Sequence, residues 1–283
     1  MKSLSDSSII ICCIVRDAGN GLKRNIPVID EFCSYFHEWH VFVYENDSKD
    51  DTKDVLKEWS EKDPHRIHVS LNTFGSGVAI PDKKEVAVNP FFSRKRITKM
   101  AELRNHYLKY IEEQGWEADY LMVFDFDIAK IDCSSILSSF RSRVEWDVVT
   151  AFGYSRSPKL KRRYHDSYAL IEYGDDVNPQ TEKKIKELSV KYGHLKPDDK
   201  WIRVTSAFGG LAIYKFGLLK GVYYSVLDND DSRVEVRCEH YSILKKISDK
   251  KDIRVYINPK MALRYQNITW KIIVNSLRRS LKI

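Results

Sequence analysis

The chain has little cysteine, and its cysteines lack the spacing used by metal sites and disulfide frameworks. Five cysteines occur among 283 residues, and no two of them form a Cys-x-x-Cys pair. An odd number of thiols, mostly within apolar stretches, argues against both a disulfide scaffold and a zinc site. We therefore expect reduced core thiols in a cytoplasmic protein.

Long hydrophobic runs are also missing. The apolar run near the N-terminus, residues 9–15, is too short to span a bilayer or to act as an ordinary signal peptide. Nothing in the composition indicates disorder, because 43% of the residues are hydrophobic and 31% are charged. This is enough apolar material for the core of one large α/β domain.

Basic residues outnumber acidic ones without forming a nucleic-acid stripe. The 47 lysines and arginines exceed the 40 acids, which gives a formal net charge of +7. The excess favours polyanionic partners such as nucleotide diphosphates or anionic lipid surfaces. The basic groups at residues 94–96 and 159–163 are only short clusters. We therefore expect no nucleic-acid partner.

The most informative stretch, residues 121–128, has the sequence LMVFDFDI. Its apolar start predicts a buried strand, and Asp125 and Asp127 follow where that strand meets solvent. Ligands bind at this edge of open α/β sheets, and side chains two apart on an extended backbone point the same way. Carboxylates suit Mg²⁺ or Mn²⁺, which often share substrate phosphates as ligands. The motif therefore predicts a cation-held diphosphate, with two solvated acids closing a strand as the alternative.

Two strands are predicted before this motif. Residues 9–15 form a buried strand that ends at Arg16, which either meets a phosphate or base or pairs with Asp17. A helix over residues 22–36 and a strand over residues 41–44 follow. This βαβ unit is the first half of a doubly wound sheet.

An acidic turn follows the second strand. Ser48 and Asp51 have capping-box spacing for the helix that comes next. Capping does not account for Glu45, Asn46 and Asp47 at the strand end. At that position a nucleotide base and ribose can be bound through hydrogen bonds.

The sequence VYENDSKDDTKDVL, residues 43–56, resembles the second-strand signature of GT-A-fold glycosyltransferases. Its Glu-Asn-Asp-Ser run is similar to that of the fungal capsule-associated α-mannosyltransferase family. The resemblance implies that Glu45 lies near the base and Asp47 near the ribose. With Asn46, they are the expected donor-binding residues.

A helix motif and the Asp-x-Asp pair extend the resemblance. Residues 101–105, AELRN, are similar to a family helix whose arginine, here Arg104, is expected to reach the diphosphate or the first acid of the pair. The resemblance implies that Asp127 binds the metal directly. Asp125 is expected to approach the ribose or a metal-bound water.

A glycine pair and a Cys-Glu-His sequence complete the resemblance. Gly209 and Gly210 let another group approach the backbone closely, and the likeness implies an acceptor-side loop bordering the donor sugar. Glu239 matches a family glutamate, and His240 stands where inverting relatives keep an aspartate base. Either Glu239 orients the acceptor hydroxyl or stabilises the reacting centre while His240 ligates the metal, or His240 is the base and Glu239 only orients.

The resemblance implies one α/β domain of GT-A type, with a mixed, mostly parallel central sheet flanked by helices. The domain is expected over residues 1–262, with unmatched insertions at 65–97 and 154–200. The second insertion is either an acceptor-recognition segment or a folded surface excursion. Residues 263–283 are predicted to form a basic amphipathic helix, which either docks on the domain or contacts a membrane surface.

The implied activity is a metal-dependent glycosyltransferase that uses Mn²⁺ or Mg²⁺. GDP-mannose is the expected donor, transferred with retention onto a glycan or glycolipid acceptor in surface polysaccharide synthesis, in the cytoplasm or peripheral to a membrane. A UDP- or dTDP-sugar donor is one alternative. Another is a haloacid-dehalogenase-like phosphatase, because Asp125-Phe-Asp127 resembles its nucleophile motif, although Ala129 replaces the usual Thr or Val. A non-catalytic carbohydrate-binding relative is the third.

Overall fold

A mixed ten-stranded sheet forms the centre of the computed structural model, which describes residues 3–75, 89–157 and 160–265. In chain order the strands are β1 (Ser8–Val15), β2 (Glu38–Asn46), β3 (Ile67–Asn72), β4 (Tyr120–Phe124), β5 (Val148–Arg156), β6 (Arg162–Tyr164), β7 (Ile171–Glu172), β8 (Ile202–Ser206), β9 (Leu211–Lys215) and β10 (Val255–Arg264). Their order across the sheet is β3-β2-β1-β4-β9-β5-β10-β8-β7, with β6 paired to β5. Strands β1 to β5 and β10 run parallel, whereas β8 and β9 run antiparallel to their neighbours. The predicted fold class is confirmed.

Helices cover both faces of this sheet. They are α1 (Gly19–Cys33), α2 (Thr52–Lys62), α3 (Arg94–Gln114), α4 (Cys133–Leu137), α5 (Glu182–Tyr192) and α6 (Glu239–Ser248). The apolar faces of α1, α2 and α4 pack in one core, and those of α3, α5 and α6 pack in the other. Because both faces are covered, β4 is buried at every position and shows no polar alternation.

Several element boundaries differ from the sequence prediction. Helix α1 begins three residues early, at Gly19, and α3, which carries the AELRN motif, begins well before that motif, at Arg94. Strand β2 runs over Glu38–Asn46 and is longer than the predicted strand at residues 41–44. The first turns of these helices carry mainly polar or small residues, so hydrophobic periodicity does not mark them.

The capping box predicted for α2 is wrong. Its cap residue, Asp51, makes no side-chain cap hydrogen bond. Ser48 Oγ instead accepts the N–H of Asp17 at 3.0 Å, and Asp50 accepts the N–H of Gly19 at 3.0 Å. The acidic turn after β2 therefore holds the turn after β1, where α1 begins without a capping side chain of its own.

The two predicted insertions contain regular structure. Residues 65–97 include β3 and the start of α3, and residues 154–200 fold into β6, β7 and α5. Strand β10 continues to Arg264, past the predicted domain end at residue 262. The predicted start of the C-terminal helix at residue 263 is wrong, because residues 263 and 264 belong to β10, and the rest of that helix, residues 266–283, lies outside the described residues. Within the ranges that the structure describes, no helix has the length and apolar character needed to cross a membrane.

A bulge in β10 steers the end of this strand. The pairing with β5 moves from Asn258 opposite Ala151 to Ala262 opposite Phe152, so residues 259–261 have no partner in that ladder. The strand end also pairs with the segment after β4, where Arg264 exchanges backbone hydrogen bonds with Lys130. This double pairing carries the chain to the carboxyl end of β4.

Candidate active site

A cavity of about 390 Å³ opens at the carboxyl ends of β1, β2 and β4. The predicted site residues that line it are Arg16, Asn46, Arg104, Asp125, Asp127, Glu239 and His240. The predicted residues outside its lining are Glu45, Asp47, Gly209 and Gly210. The sheet edge chosen from the Asp-x-Asp motif therefore coincides with the cavity.

The two acids of the motif differ in environment. Asp127 is exposed, whereas Asp125 is half-buried and its Oδ2 accepts a hydrogen bond from the hydroxyl of Tyr265 at 2.7 Å. Burial raises the pKa of Asp125 to about 7, and the charge of Asp127 adds to that rise while Arg104 opposes it. Asp127 is therefore the more available anionic ligand, and Asp125 is the more constrained one.

Helix α1 clamps the loop that carries these acids. The buried amide of Asn25 donates to the carbonyls of Phe126 at 2.8 Å and Ile128 at 2.9 Å. A Cβ at Gly21 would lie 2.3 Å from the carbonyl oxygen of Phe126. The clamp satisfies two buried carbonyls and keeps the loop against the helix, which fixes where the carboxylates emerge.

The glycine pair makes room for neighbouring groups. Both glycines have positive φ, and a Cβ at Gly210 would lie 2.4 Å from the hydroxyl of Tyr265. A Cβ at Gly209 would lie 2.4 Å from the carbonyl oxygen of Ala151. The carbonyl of Gly210 also accepts the N–H of Asp125 at 2.9 Å. Gly210 therefore leaves space for the side chain of Tyr265 and anchors the backbone of Asp125, while neither glycine lines the cavity.

A buried ion pair forms the cavity floor. Arg104 Nε donates to Glu239 Oε1 at 3.0 Å, and the two side chains are 4% and 5% exposed. Burial alone would raise the pKa of Glu239, but the Arg104 guanidinium outweighs burial and holds it below its usual range. Glu239 is therefore an ionised carboxylate in a fixed position. One terminal nitrogen of Arg104 has no partner among the described residues.

His240 is held by an aromatic ring. Its imidazole stacks on Phe208 with ring centroids 3.8 Å apart, and neither ring nitrogen has a hydrogen-bond partner within the described part of the chain. Burial and the Arg104 charge lower the pKa of His240 well below its usual value, so the imidazole is neutral. A neutral imidazole in a cavity can accept a proton or a hydrogen bond.

Glu45 and Asp47 hold the turn after β2. The carboxylate of Glu45 is fully buried and accepts the N–H groups of Ser48 at 2.7 Å and Asn72 at 3.2 Å. Asp47 accepts the N–H groups of Phe74 at 2.7 Å and Gly75 at 2.8 Å. These hydrogen bonds satisfy N–H groups of the turn after β2 and of the end of β3 and the residues after it. In the described geometry both acids therefore stabilise the backbone outside the cavity.

Arg16 and Asn46 stand at the ends of their strands, as predicted. Arg16 lines the cavity and lies 3.6 Å from Asp17, so the predicted pairing with Asp17 is present, whereas contact with a phosphate or base stays a prediction. The buried amide of Asn46 donates to Asp47 at 3.3 Å. Both side chains border the part of the cavity beside β1 and β2.

Residues 8–243 match the family model described as Cryptococcal mannosyltransferase 1. This span covers most of the chain and includes every predicted site residue. The chain belongs to that family. The comparison with curated proteins found no match.

Solved structures place this family member among GT-A glycosyltransferase folds. The mannosyltransferase PcManGT from Pyrobaculum calidifontis, in complex with GDP-Man and Mn²⁺, is 12% identical with a TM-score of 0.50, over 98% of this chain and 65% of that one. This chain therefore spans slightly less than two thirds of PcManGT. S. aureus TarS 1–349 is 12% identical with a TM-score of 0.47, over 98% and 72% of the two chains.

Several polar residues that line the cavity were not predicted as site residues, and four of them bear on the chemistry. They are Arg96, His165, Asp166 and Tyr265. His165 and Asp166 lie in the second insertion, where polar and aromatic residues show no clean periodicity. Tyr265 arrives through the bulge in β10, which leaves no clear sequence pattern. Only the aromatic and charged content of the insertion pointed toward ligand contact.

The mannosyltransferase family member does not assemble the predicted three-residue metal set. In residues 3–75, 89–157 and 160–265, no group of three or more His, Cys, Asp or Glu side chains is arranged to hold a metal ion. His240 is buried against Phe208, whereas Asp127 is exposed. Magnesium is commonly held by one or two carboxylates together with substrate phosphates. The carboxylates of Asp125 and Asp127 fit that smaller kind of site.

Proposed function

We propose that this chain transfers a sugar from a nucleotide-sugar donor to a glycan acceptor and depends on Mn²⁺ or Mg²⁺. The observation that carries the proposal is the pair of motif carboxylates in one cavity with a buried, ionised Glu239. Membership of a mannosyltransferase family supports it. Asp127, with Asp125 beside it, would hold the cation.

GDP-mannose is the proposed donor, transferred with retention to give an α-linkage. The description of the family supports mannose, and the fold neighbour PcManGT binds GDP-Man and Mn²⁺. UDP- and dTDP-sugars are the alternative donors. The acceptor is proposed to be a glycan or glycolipid of a surface polysaccharide, and the part of the predicted C-terminal helix after Tyr265 is proposed as the segment that contacts a membrane if the acceptor is a lipid.

The bound cation and three cavity side chains, Arg104, Glu239 and His240, each have a separate proposed role. A bound cation would neutralise charge on the diphosphate leaving group. Arg104 holds Glu239 ionised and still has one unpartnered terminal nitrogen for the donor. Glu239 can then stabilise positive charge at the anomeric carbon or orient the acceptor hydroxyl. His240 is neutral, so a ring nitrogen can accept a hydrogen bond from this hydroxyl and orient it.

The phosphatase alternative fits the structure poorly. Asp125 would have to be the nucleophile, yet its carboxylate is bound to the hydroxyl of Tyr265 and carries a pKa raised to about 7. A nucleophilic carboxylate needs to be ionised and free to attack. The fold and the family both favour the transferase.

Turnover of a donor panel tests the proposal. GDP-mannose, UDP-glucose and dTDP-glucose are each incubated with Mn²⁺, with Mg²⁺ or with EDTA, and p-nitrophenyl phosphate serves as the phosphatase substrate. We expect GDP-mannose hydrolysis that requires the cation, with an α-configured product by NMR. Metal-independent hydrolysis of p-nitrophenyl phosphate without sugar-nucleotide turnover would contradict the proposal. No turnover of any substrate would favour the non-catalytic carbohydrate-binding alternative.

A further inference from the structure

A carboxylate without a protein partner faces the cavity from the second insertion. Asp166 lines the cavity beside Glu239, and none of the described hydrogen bonds or ion pairs involves its side chain. Its backbone has φ of +60°, a left-handed conformation that few residues other than glycine adopt. The local backbone thus places an acidic side chain at the cavity in a conformation that aspartate and asparagine adopt more readily than most residues.

The surroundings of Asp166 disfavour its ionised carboxylate when no ligand is bound. Burial raises the pKa of Asp166 to about 8, and the charges of Glu239 and Asp125 add to the rise. Arg104 and Arg96 oppose it only in part. A third acid in such a place is costly unless a ligand supplies the missing donor.

The segment around Asp166 is held firmly on both sides. His165 stacks on Tyr265 with ring centroids 3.4 Å apart, and its N–H donates to the carbonyl of Gly153 at 2.8 Å. Tyr168 is buried and its hydroxyl donates to the carbonyl of Val236 at 2.5 Å. Asp166 is therefore presented by a fixed turn, which suits a residue that recognises a ligand.

We propose that Asp166 accepts a hydrogen bond from a hydroxyl group of a sugar bound in the cavity and thereby contributes to sugar specificity. A phosphate would be repelled by the neighbouring acids, whereas a sugar hydroxyl is a neutral donor. The inference rests on the proposed glycosyltransferase function. The sugar belongs either to the donor or to the acceptor, and both present the same chemistry.

The test compares the wild type with Asp166→Asn and with the control Asp198→Asn, which changes an exposed acid of the same insertion. Asparagine tolerates a left-handed backbone as aspartate does, so the turn keeps its conformation. GDP-mannose hydrolysis in water gives kcat and KM for the donor. Transfer to methyl α-D-mannopyranoside gives the KM for the acceptor, and saturation-transfer NMR measures binding of each sugar directly.

We expect Asp166→Asn to raise one of the two KM values about twofold to tenfold, because the hydrogen bond between the carboxyl group and the sugar hydroxyl is lost or weakened. A change confined to GDP-mannose assigns the donor sugar, and one confined to the methyl mannoside assigns the acceptor. The melting temperature should stay the same or rise, because an unpaired carboxylate is removed. A purely structural role would lower it instead.

The inference is overturned if Asp166→Asn and Asp198→Asn both leave the two KM values and the NMR binding signals unchanged. It is also overturned if Asp166→Asn lowers the melting temperature and kcat without changing either KM. If the wild type turns over no donor but binds the methyl mannoside, and Asp166→Asn abolishes that binding, the inference stands while the proposed function fails. Absence of both turnover and sugar binding in the wild type overturns both.

Discussion

The buried pair of Arg104 and Glu239 shows how two long-range partners depend on each other. Neither side chain reaches solvent, and Glu239 is ionised because Arg104 lies against it. Removing one partner of such a pair leaves an uncompensated buried charge, which typically costs about 3–5 kcal/mol. The contact between Arg104 and Glu239 therefore affects the stability of the fold as well as the chemistry of the site.

We predict that Glu239→Gln lowers the free energy of unfolding by about 3–5 kcal/mol, measured by urea denaturation. The double variant Arg104→Met, Glu239→Leu should lose less than the sum of the two single changes, because neither charge is left alone. The matched control is Glu187→Gln, which breaks the exposed Lys183–Glu187 pair and should have little measurable effect. Equal losses of unfolding free energy in Glu239→Gln and Glu187→Gln would show that the buried pair stabilises the fold no more than the exposed pair does.

Individual residues also show how far the sequence alone could lead. Asp125 and Asp127 were found because a local signal, an apolar run ending in acids, is enough to place them at a sheet edge. Arg104 and Glu239 were both predicted, but not as partners, since 135 positions separate them. Glu45 was predicted to contact a base, and its carboxylate here accepts backbone N–H groups from its own turn, at Ser48, and from the end of β3, at Asn72. The sequence alone does not show which backbone N–H groups will need a side-chain acceptor, because this depends on how the chain folds.

At the scale of elements, the bulge in β10 delivers Tyr265 to Asp125. The residue comes from the far end of the chain, and Gly210 leaves the space that its hydroxyl fills. The strand itself is predictable from its apolar residues, but the register shift at residues 259–261 is not, because it depends on pairing with two other segments. This is why the sequence analysis missed Tyr265.

We predict that Tyr265→Phe weakens Mn²⁺ affinity and lowers metal-dependent donor hydrolysis about tenfold, because the hydroxyl that orients Asp125 is lost. Isothermal titration with Mn²⁺ in the presence of GDP measures the affinity, and initial rates measure the turnover. Tyr256→Phe on the same strand is the control. It should leave both values unchanged, since Tyr256 lies outside the cavity lining. Unaltered Mn²⁺ affinity in Tyr265→Phe would refute a positioning role.

A second element-scale feature joins the starts of β5 and β10. Asp147 is nearly buried and accepts hydrogen bonds from Arg254 Nε at 3.0 Å and Lys215 Nζ at 3.0 Å. Burial alone would raise the pKa of Asp147, but these donors outweigh burial and lower it to about 2. A lowered pKa means that the folded state favours the ionised form.

The pKa values of Asp147 in the folded and unfolded states set the pH range over which it stabilises the fold. The stabilisation from Asp147 is fully present above its unfolded pKa of about 3.9 and is lost as the pH falls through about 2. We predict that Asp147→Asn lowers the free energy of unfolding by about 2 kcal/mol at pH 7 and by roughly half that at pH 3. Urea denaturation at both pH values, with Asp198→Asn as control, measures the difference. A cost that grew on acidification would contradict the assigned cause.

At the scale of the whole molecule, the fold brings distant parts of the chain to one sheet edge. The Asp-x-Asp loop, the start of α6, the second insertion and the end of β10 all border the same cavity. The Asp-x-Asp motif predicted the first contribution, because ligands bind at the carboxyl ends of strands in open α/β sheets. The family resemblance of the Cys-Glu-His sequence implied the second. The contribution of the second insertion depends on how β6, β7 and α5 fold back, which periodicity does not reveal.

The central claim is that a divalent cation at Asp127 tethers the diphosphate of a nucleotide sugar, and a thermal-shift titration with GDP tests it most directly. With Mn²⁺, GDP at a hundredfold its Kd should stabilise the wild type by about 2.7 kcal/mol, seen as a rise of several degrees in Tm. EDTA or the substitution Asp127→Asn should abolish the shift, and Asp230→Asn, at an exposed acid, should preserve it. An equal GDP shift in EDTA, or in Asp127→Asn, would contradict the account.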